Sequence, residues 1–232
     1  MKYKNDISEQ YTKFNLKVFI TDLVGKMEIL SADNINFVNL TAIQAHNEFY
    51  YNNSTQAGWI NSIIQLGNGL IATAADDGKI KLWKSLPNQP YIELVRTLSS
   101  SFYQYSLIDV SENVLITGAC QGTVLLWDIN TGALLMTLNV TLNPERNCVN
   151  SFLMMPDERL AIAYDFNRTF TYITLLNLTD FTFEHIISVQ ASVASMTLTR
   201  YGTALSAGTL SGALHHLTEV PFGCILLQIG PD

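Results

Sequence analysis

A repeated segment is the feature of this sequence that most restricts its fold. Residues 70–83 and 114–127 share one pattern: an apolar run, a short polar turn ending in glycine, a second apolar run and a tryptophan. The two tryptophans, at positions 83 and 127, are 44 residues apart. A polar turn ending in glycine between two apolar runs is typical of a β-hairpin, because glycine permits the positive φ of a tight turn. Repetition at this spacing predicts an array of β-units.

Weaker copies continue the period along the chain. Hairpins are predicted to begin at Lys26, Arg159 and Thr203 as well, so that hairpin starts recur every 43 to 46 residues. A further strand is predicted before each hairpin, at 18–23, 60–66, 106–110, 149–154 and 193–198, and a fourth strand follows, most clearly at 134–138. Four antiparallel strands per unit with this period are typical of a propeller blade. No segment has sustained helical periodicity, so almost no helix is expected.

At Trp83 and at Trp127-Asp128 the repeats resemble the WD-repeat family of β-propellers. The match is most specific between Trp59 and about residue 140, and the other units match in spacing and apolar pattern. The resemblance implies an all-β WD-repeat propeller of about five four-stranded blades. The expected blades are 17–56, 57–99, 100–145, 146–190 and 191–232. Residues 1–16 would be an N-terminal extension, or a closing strand at 11–16.

The family has a structural network in each blade, which links a tryptophan, a serine or threonine, an aspartate in the tight turn and a histidine before the first strand. By position, the second blade offers Thr73, Asp77 and Trp83, and no histidine is well placed. Lys84 stands after this tryptophan where the family has aspartate. Trp83 is expected to be buried, with its indole N–H bonded to Thr73 on the neighbouring strand.

The third blade matches the same network in part. It offers Thr117, Trp127 and Asp128, but Gln121 stands where the turn aspartate is expected. Trp127 is expected to be a buried structural residue bonded to Thr117.

Charge and hydropathy exclude several classes of function. A net charge of −7 disfavours a nucleic-acid partner, because phosphate binding needs clustered Lys and Arg. Hydrophobic residues make up 48% and charged residues 14%, which indicates a folded chain with a large core. The uncharged stretch 57–75 contains Asn61, Gln65 and the turn pair Asn68-Gly69, so it is predicted to form strands and not a membrane span. A cytoplasmic location is expected.

The cysteines and histidines do not form a recognisable metal site. Cys120, Cys148 and Cys224 have no Cys-x-x-Cys spacing, so neither zinc nor a disulfide framework is expected, and buried free thiols are predicted. His46 and His185 are isolated in the sequence, and the adjacent pair at 215–216 would face opposite sides of a strand. No metal, cofactor or catalytic activity is expected.

Aromatic residues in predicted loops favour a binding function. One loop is 99–105, and another contains 49–52 ahead of Trp59. Tyrosine and tryptophan dominate binding hot spots, although these side chains could instead cover contacts between blades. The candidate contacts are Trp59, Tyr103, Tyr105, Arg146 and Asp165.

The sequence therefore predicts a non-catalytic scaffold that binds a protein or peptide through the loop face of the propeller. The alternative is a structural segment, or a degenerate part of a larger propeller, with no binding site of its own. Because unpaired sheet edges invite pairing, an incomplete or open array could also self-associate through them.

Overall fold

The structure is a computed structural model that describes residues 16–21, 26–33, 36–46, 49–51, 54–56, 58–85, 92–140, 147–166, 170–198, 204–210, 213–220 and 223–229. These residues form strands and connecting turns and contain no helix, which confirms the all-β prediction. In particular, the described residues contain no helix with the length and apolarity needed to span a bilayer.

The strands follow one another in six antiparallel sheets whose strand order is the sequence order. The first sheet has three strands, β1 (Leu16–Thr21), β2 (Lys26–Asp33) and β3 (Asn36–Gln44), and the short hairpin of β4 (Phe49–Tyr51) and β5 (Ser54–Gln56) follows it. Residues 49–52 were expected to be a loop, and this hairpin replaces most of it.

Four sheets of four strands come next, and we call them sheets two to five. Sheet two contains β6 (Ile60–Gln65), β7 (Ile71–Ala75), β8 (Lys79–Ser85) and β9 (Ile92–Ser99). Sheet three contains β10 (Gln104–Ser111), β11 (Val114–Ala119), β12 (Thr123–Asp128) and β13 (Leu134–Asn139). Sheet four contains β14 (Val149–Met154), β15 (Arg159–Phe166), β16 (Phe170–Asn177) and β17 (Phe183–Val189). Sheet five contains β18 (Val193–Leu198), β19 (Ala204–Thr209), β20 (Leu214–Val220) and β21 (Gly223–Ile229).

The first strands of consecutive sheets lie beside one another. Strand β10 contacts β6 and β14, and β14 contacts β18. The sheets are therefore arranged around a common axis with their first strands innermost, as the blades of a propeller are.

The hydrophobic core is divided among the seams between consecutive sheets. Sheets two and three enclose one cluster that includes Leu82, Leu98 and Trp127, and sheets three and four enclose another that includes Leu126 and Ile162. Two further clusters lie at the seams on either side of these. Sheets two, three and four thus bury both faces against their neighbours, which explains why β7 and β11 are nearly continuous buried runs.

The seam between sheets three and four is packed most closely at Gly118. A Cβ atom at this position would lie 2.6 Å from Cγ1 of Val149 and would also collide with Ser106. The Ser106 hydroxyl donates a hydrogen bond to the Val149 carbonyl across the same seam, at 2.8 Å. Glycine is therefore required here by the approach of β14 to β11.

The described strands do not close into a ring, since β1 and β18 are not joined by the extensive contacts that link β6, β10, β14 and β18. The closing strand expected at 11–16 lies outside the described residues except for Leu16, which begins β1 and pairs with Ala32.

Candidate functional site

We call the side at which the first strand of each sheet begins the upper face. It carries the turns at 76–78 and 120–122, together with the segments that lead into β6, β10 and β14. The turns at 66–70 and 129–133 lie on the opposite, lower face, because successive strands alternate in direction.

A cavity of about 440 Å³ opens on the propeller axis at the upper face. Each of sheets two to five contributes a residue from its innermost strand: Asn61, Tyr105, Asn150 and Ala194. The remaining lining residues are Cys148, Asp165, Ser192, Val193 and Leu210. A concave site with a few polar groups on a largely apolar wall is the usual form of a binding pocket.

Asp165 is the carboxylate of this cavity. One of its oxygens accepts the Thr171 hydroxyl at 2.7 Å, and the other accepts the Ser192 hydroxyl at 3.0 Å. Its backbone N–H donates to the Cys148 carbonyl at 3.0 Å. None of the ion pairs between described residues includes Asp165. The carboxylate is therefore fixed in position by hydroxyl groups.

A second polar group lies at the edge of the cavity. Asn61 donates through Nδ2 to Asp76 Oδ1 at 2.6 Å and to the Gln104 carbonyl at 2.9 Å. Burial raises the pKa of Asp76, the bond from Asn61 opposes this shift, and the charge of Asp77 adds to it. Asp76 also donates its backbone N–H to the carbonyl of Trp59, at 3.0 Å.

Two large apolar side chains are exposed beside these groups. Trp59 is 46% exposed, and Leu210, which lines the cavity, is 77% exposed. The upper face therefore combines a fixed carboxylate and an asparagine with exposed apolar surface, which suits the binding of a partially apolar ligand.

The predicted partner contacts fall in different places. Tyr105 and Asp165 line the cavity together, and Trp59 is linked to its edge through Asp76. Tyr103 is half-buried in the segment before β10, where its carbonyl accepts the Cys120 N–H at 3.0 Å. The loop expected at 99–105 is shorter than predicted, because Ser99 ends β9 and Gln104 begins β10. Arg146 lies outside the described residues.

The structural network of sheet two is more complete than the sequence suggested. The Trp83 indole N–H donates to Thr73 Oγ1 at 3.0 Å, and Thr73 Oγ1 lies 2.8 Å from Nε2 of His46. His46 Nδ1 lies 3.0 Å from both oxygens of Asp77. Since a carboxylate only accepts, Nδ1 carries a proton and donates it to Asp77.

The expectation that no histidine is well placed for this network was therefore wrong. His46 is 0% exposed and lies 31 residues before Asp77 in the sequence. The hairpin of β4 and β5 is inserted between His46 and β6, which separates the histidine from the strand that it was expected to precede.

Sheet three uses an amide in place of the histidine. The Trp127 indole N–H donates to Thr117 Oγ1 at 3.1 Å, and the Thr117 hydroxyl donates to Oε1 of Gln104 at 2.9 Å. Gln104 is buried and donates through Nε2 to the Phe102 carbonyl at 2.8 Å. Gln121, which stands at the turn position, is exposed. The sequence analysis did not identify Gln104 as part of the network.

Asp128 lies apart from this network, in the turn on the lower face. Its carboxylate accepts the backbone N–H groups of Asn130 at 2.8 Å and Thr131 at 3.2 Å. Hydrogen bonds from Thr131, and then from Asn130, lower the pKa of Asp128. Its position is that of a turn-stabilising residue.

In sheet four, apolar side chains occupy the positions of the tryptophan and threonine of this network. Leu176 pairs with Leu160 as Trp127 pairs with Leu115, and Ile162 stands two residues further along, where sheet three has Thr117. Leu176 and Ile162 are both fully buried.

The prediction of free thiols was wrong for two of the three cysteines. Cys120 and Cys148 form a disulfide and a β-bridge between the upper turn of sheet three and the segment that leads into sheet four. The two cysteines are 28 positions apart, with β12 and β13 between them, so sequence spacing did not reveal their proximity. Among the described residues no group of three or more His, Cys, Asp or Glu could hold a metal ion.

Comparisons with known proteins agree with this architecture. No known family profile matches the chain. Nuclear distribution protein nudF from Aspergillus niger is 35% identical over 71 residues, which are 29% of this chain and 15% of that protein. The match therefore spans only a small part of the length of that relative.

Solved structures resemble the whole array. The WD40 β-propeller domain of Doa1 has a TM-score of 0.65 at 16% identity, over 89% of this chain and 62% of that one. A chain of the mitotic checkpoint complex has a TM-score of 0.70 at 15% identity, over 93% of this chain and 62% of that one. A Bacteroides fragilis protein assigned as a 6-phosphogluconolactonase has a TM-score of 0.73 at 12% identity, over 92% of this chain and 66% of that one. This chain thus spans less than two thirds of the length of each, and its fold is that of a WD40-type β-propeller.

Proposed function

We propose that this chain is a non-catalytic scaffold that binds a protein or peptide through its upper face, with the axial cavity at the centre of the contact. The observation that carries the proposal is the 440 Å³ cavity lined by exposed Leu210, with exposed Trp59 accepting the Asp76 N–H on the same face. Large apolar side chains around a partly polar pocket are the usual anchors of a protein contact. The cytoplasmic location expected from the sequence is part of the same proposal.

Two further observations support binding over catalysis. His46 and its partner Thr73 are both 0% exposed, which keeps this Thr–His–Asp arrangement out of reach of a substrate. Asp165 accepts a hydroxyl on each oxygen, which favours a positioning role over proton transfer. The likeness to the WD40 domain of Doa1 and to a chain of the mitotic checkpoint complex is consistent with a scaffold. The likeness to a 6-phosphogluconolactonase means that the fold alone does not decide between the two classes.

The test compares two doubly substituted chains in quantitative affinity capture. In the first, Trp59→Ser and Leu210→Ser remove the apolar groups of the upper face. In the control, Leu94→Ser and Leu135→Ser remove side chains of the outer strands that are 46% and 55% exposed. We expect the first variant to lose its specific partners by about tenfold or more, since loss of about 1.4 kcal/mol has that effect.

The control should keep the same partners at the wild-type level, and circular dichroism should confirm that both variants are folded. Equal retention of partners by both variants would contradict the proposal and favour a structural segment with no binding site of its own.

A further inference from the structure

We propose that Cys120 and Cys148 form a reversible redox clasp that fixes the wall of the axial cavity between sheets three and four. The disulfide joins the upper turn that follows β11 to the residue just before β14. Cys148 itself lines the cavity. The clasp is therefore located where a change in covalent state acts directly on the site.

Backbone hydrogen bonds connect the clasp to other parts of the upper face. The Cys120 N–H donates to the Tyr103 carbonyl at 3.0 Å, and the Cys148 carbonyl accepts the N–H of Asp165 at 3.0 Å. Close to the disulfide, the N–H of Gly122, two residues after Cys120, donates to the carbonyl of Asn147, one residue before Cys148, at 2.7 Å. The disulfide thus holds together the segment before β10 and the strand end that carries the cavity carboxylate.

The open arrangement increases the importance of this covalent link. In a stacked array each sheet is stabilised only by its immediate neighbours, and the described sheets form an open series from the first sheet to sheet five. If the seam between sheets three and four is weakened, no described contact around the rest of the ring keeps these two sheets together. The link also shortens the chain segment that is free in the unfolded state, because the two cysteines are 28 residues apart.

The chemistry requires only an external dithiol. Both cysteines are half-buried and not fully enclosed, so a small reductant can reach them. A thiolate of the dithiol attacks one sulfur, forms a mixed disulfide and releases the other cysteine as a thiolate. The second thiol then displaces the remaining cysteine, so the chain gains two electrons and two protons and the reductant leaves as its own disulfide. In a reducing compartment this equilibrium would set the fraction of chains with an open clasp.

The covalent state is tested first. The full chain is purified without reductant, unfolded and alkylated with iodoacetamide, and its intact mass is measured. We expect one alkylated cysteine, Cys224, and three after prior treatment with dithiothreitol. Three alkylated cysteines in the untreated chain would overturn the proposal.

The effect on the site is tested next, with and without dithiothreitol. Reduction should lower the melting temperature of the wild type by about 5–10 °C, as expected for loss of a cross-link over a loop of this length. Hydrogen exchange should become faster at the amides of Cys120 and Asp165. Cys224→Ser, the matched control, should behave as the wild type does.

The double variant Cys120→Ser, Cys148→Ser should melt at the temperature of the reduced wild type and should not respond to dithiothreitol. If this variant does not fold, the wild type and Cys224→Ser still decide the question. An unchanged melting temperature on reduction, or unchanged amide hydrogen exchange at Asp165, would contradict the proposal. These measurements use no partner, so their outcome is independent of the proposed scaffold function.

Discussion

At the scale of single residues, each tryptophan of the repeat donates its indole N–H to one threonine, and the group behind the threonine differs between sheets. In sheet two it is His46, held by Asp77. In sheet three it is Gln104, held by a backbone carbonyl. The position of the tryptophan and threonine follows from the hairpin register, but the group behind them comes from a distant segment.

The buried carboxylate of sheet two should contribute more to stability than the glutamine at the equivalent turn position. The Asp77 side chain is 3% exposed and accepts from His46 and from the Lys79 N–H at 3.0 Å. Asp77→Asn places an amide donor against one of these donors, so we expect the free energy of unfolding to fall by about 1–3 kcal/mol.

Urea denaturation followed by tryptophan fluorescence measures this loss, and Gln121→Asn is the matched control. Gln121 has a φ of +65°, a conformation that asparagine tolerates, and its side chain is exposed. The control should change stability by less than about 0.5 kcal/mol. Equal losses in the two variants would show that the network of sheet two contributes nothing specific.

Asp76 should make the upper face less stable as the pH rises. Burial raises its pKa in the folded chain, so the folded state binds a proton more tightly than the unfolded state does. The stabilising effect is present below the ordinary aspartate pKa of about 3.9 and is lost as the pH rises through the raised folded value. We therefore expect Asp76→Asn to be more stable than the wild type at pH 7, with the difference shrinking towards low pH.

Asp180→Asn is a control whose effect on stability should depend on pH in the opposite direction. Hydrogen bonds from Thr182 lower the pKa of Asp180, so its contribution is present above the ordinary value and is lost as the pH falls through the lowered one. Urea midpoints measured from pH 3 to pH 7 distinguish the two. A pH-independent difference between Asp76→Asn and the wild type would show that Asp76 ionises as readily in the folded chain as in the unfolded one.

At the scale of strands and seams, the local sequence pattern was sufficient to predict strand bounds where turns and apolar runs alternate regularly. The predicted strands at 149–154 and 193–198 have the observed bounds, because alternating turns and apolar runs leave little choice of register there. Pattern was not sufficient for the hairpin of β4 and β5, where aromatic residues beside Asn-Asn resemble a loop. It also could not place Cys120 beside Cys148, because that contact depends on how one sheet stacks on the next.

The seam between sheets three and four should not tolerate a methyl group at Gly118. Gly118→Ala would place Cβ against Val149, so we expect a loss of about 1–3 kcal/mol or more, as overpacking generally gives. Thermal unfolding measures the effect.

Gly208→Ala is the matched control for this variant. Gly208 pairs with Ser195 in sheet five as Gly118 pairs with Ser106 in sheet three, but a Cβ there meets nothing within 4 Å. The control should be neutral or slightly stabilising, since alanine restricts the unfolded chain more than glycine does. A similar loss at both positions would mean that strand glycines matter for backbone reasons and not for the seam.

At the scale of the whole molecule, the 44-residue period was enough to predict a propeller, because each unit must bury two apolar faces against copies of itself. The chemistry of the upper face could not be predicted in the same way. Asn61, Tyr105, Asn150 and Ala194 meet only because four innermost strands converge on one axis. No local pattern in the sequence marks them as a group.

An array whose described strands remain open should self-associate. The first sheet and sheet five each have a described neighbour on one side only, and the free side of an end sheet favours association with a second copy. We expect light scattering at micromolar concentration to give a mass above 25.9 kDa that falls on dilution. A single species at 25.9 kDa across the dilution series would contradict this expectation and favour a closed five-sheet ring.

The different networks of the sheets also affect how faithfully the chain can fold. Strands from similar copies can exchange places, which is a characteristic error of repeat proteins. If β8 took the place of β16 in sheet four, the Trp83 N–H would face Ile162, which offers no acceptor. Each buried polar group left without a partner costs about 1–3 kcal/mol. Divergence of sheet four from sheets two and three therefore penalises the exchange of β8 or β12 into sheet four.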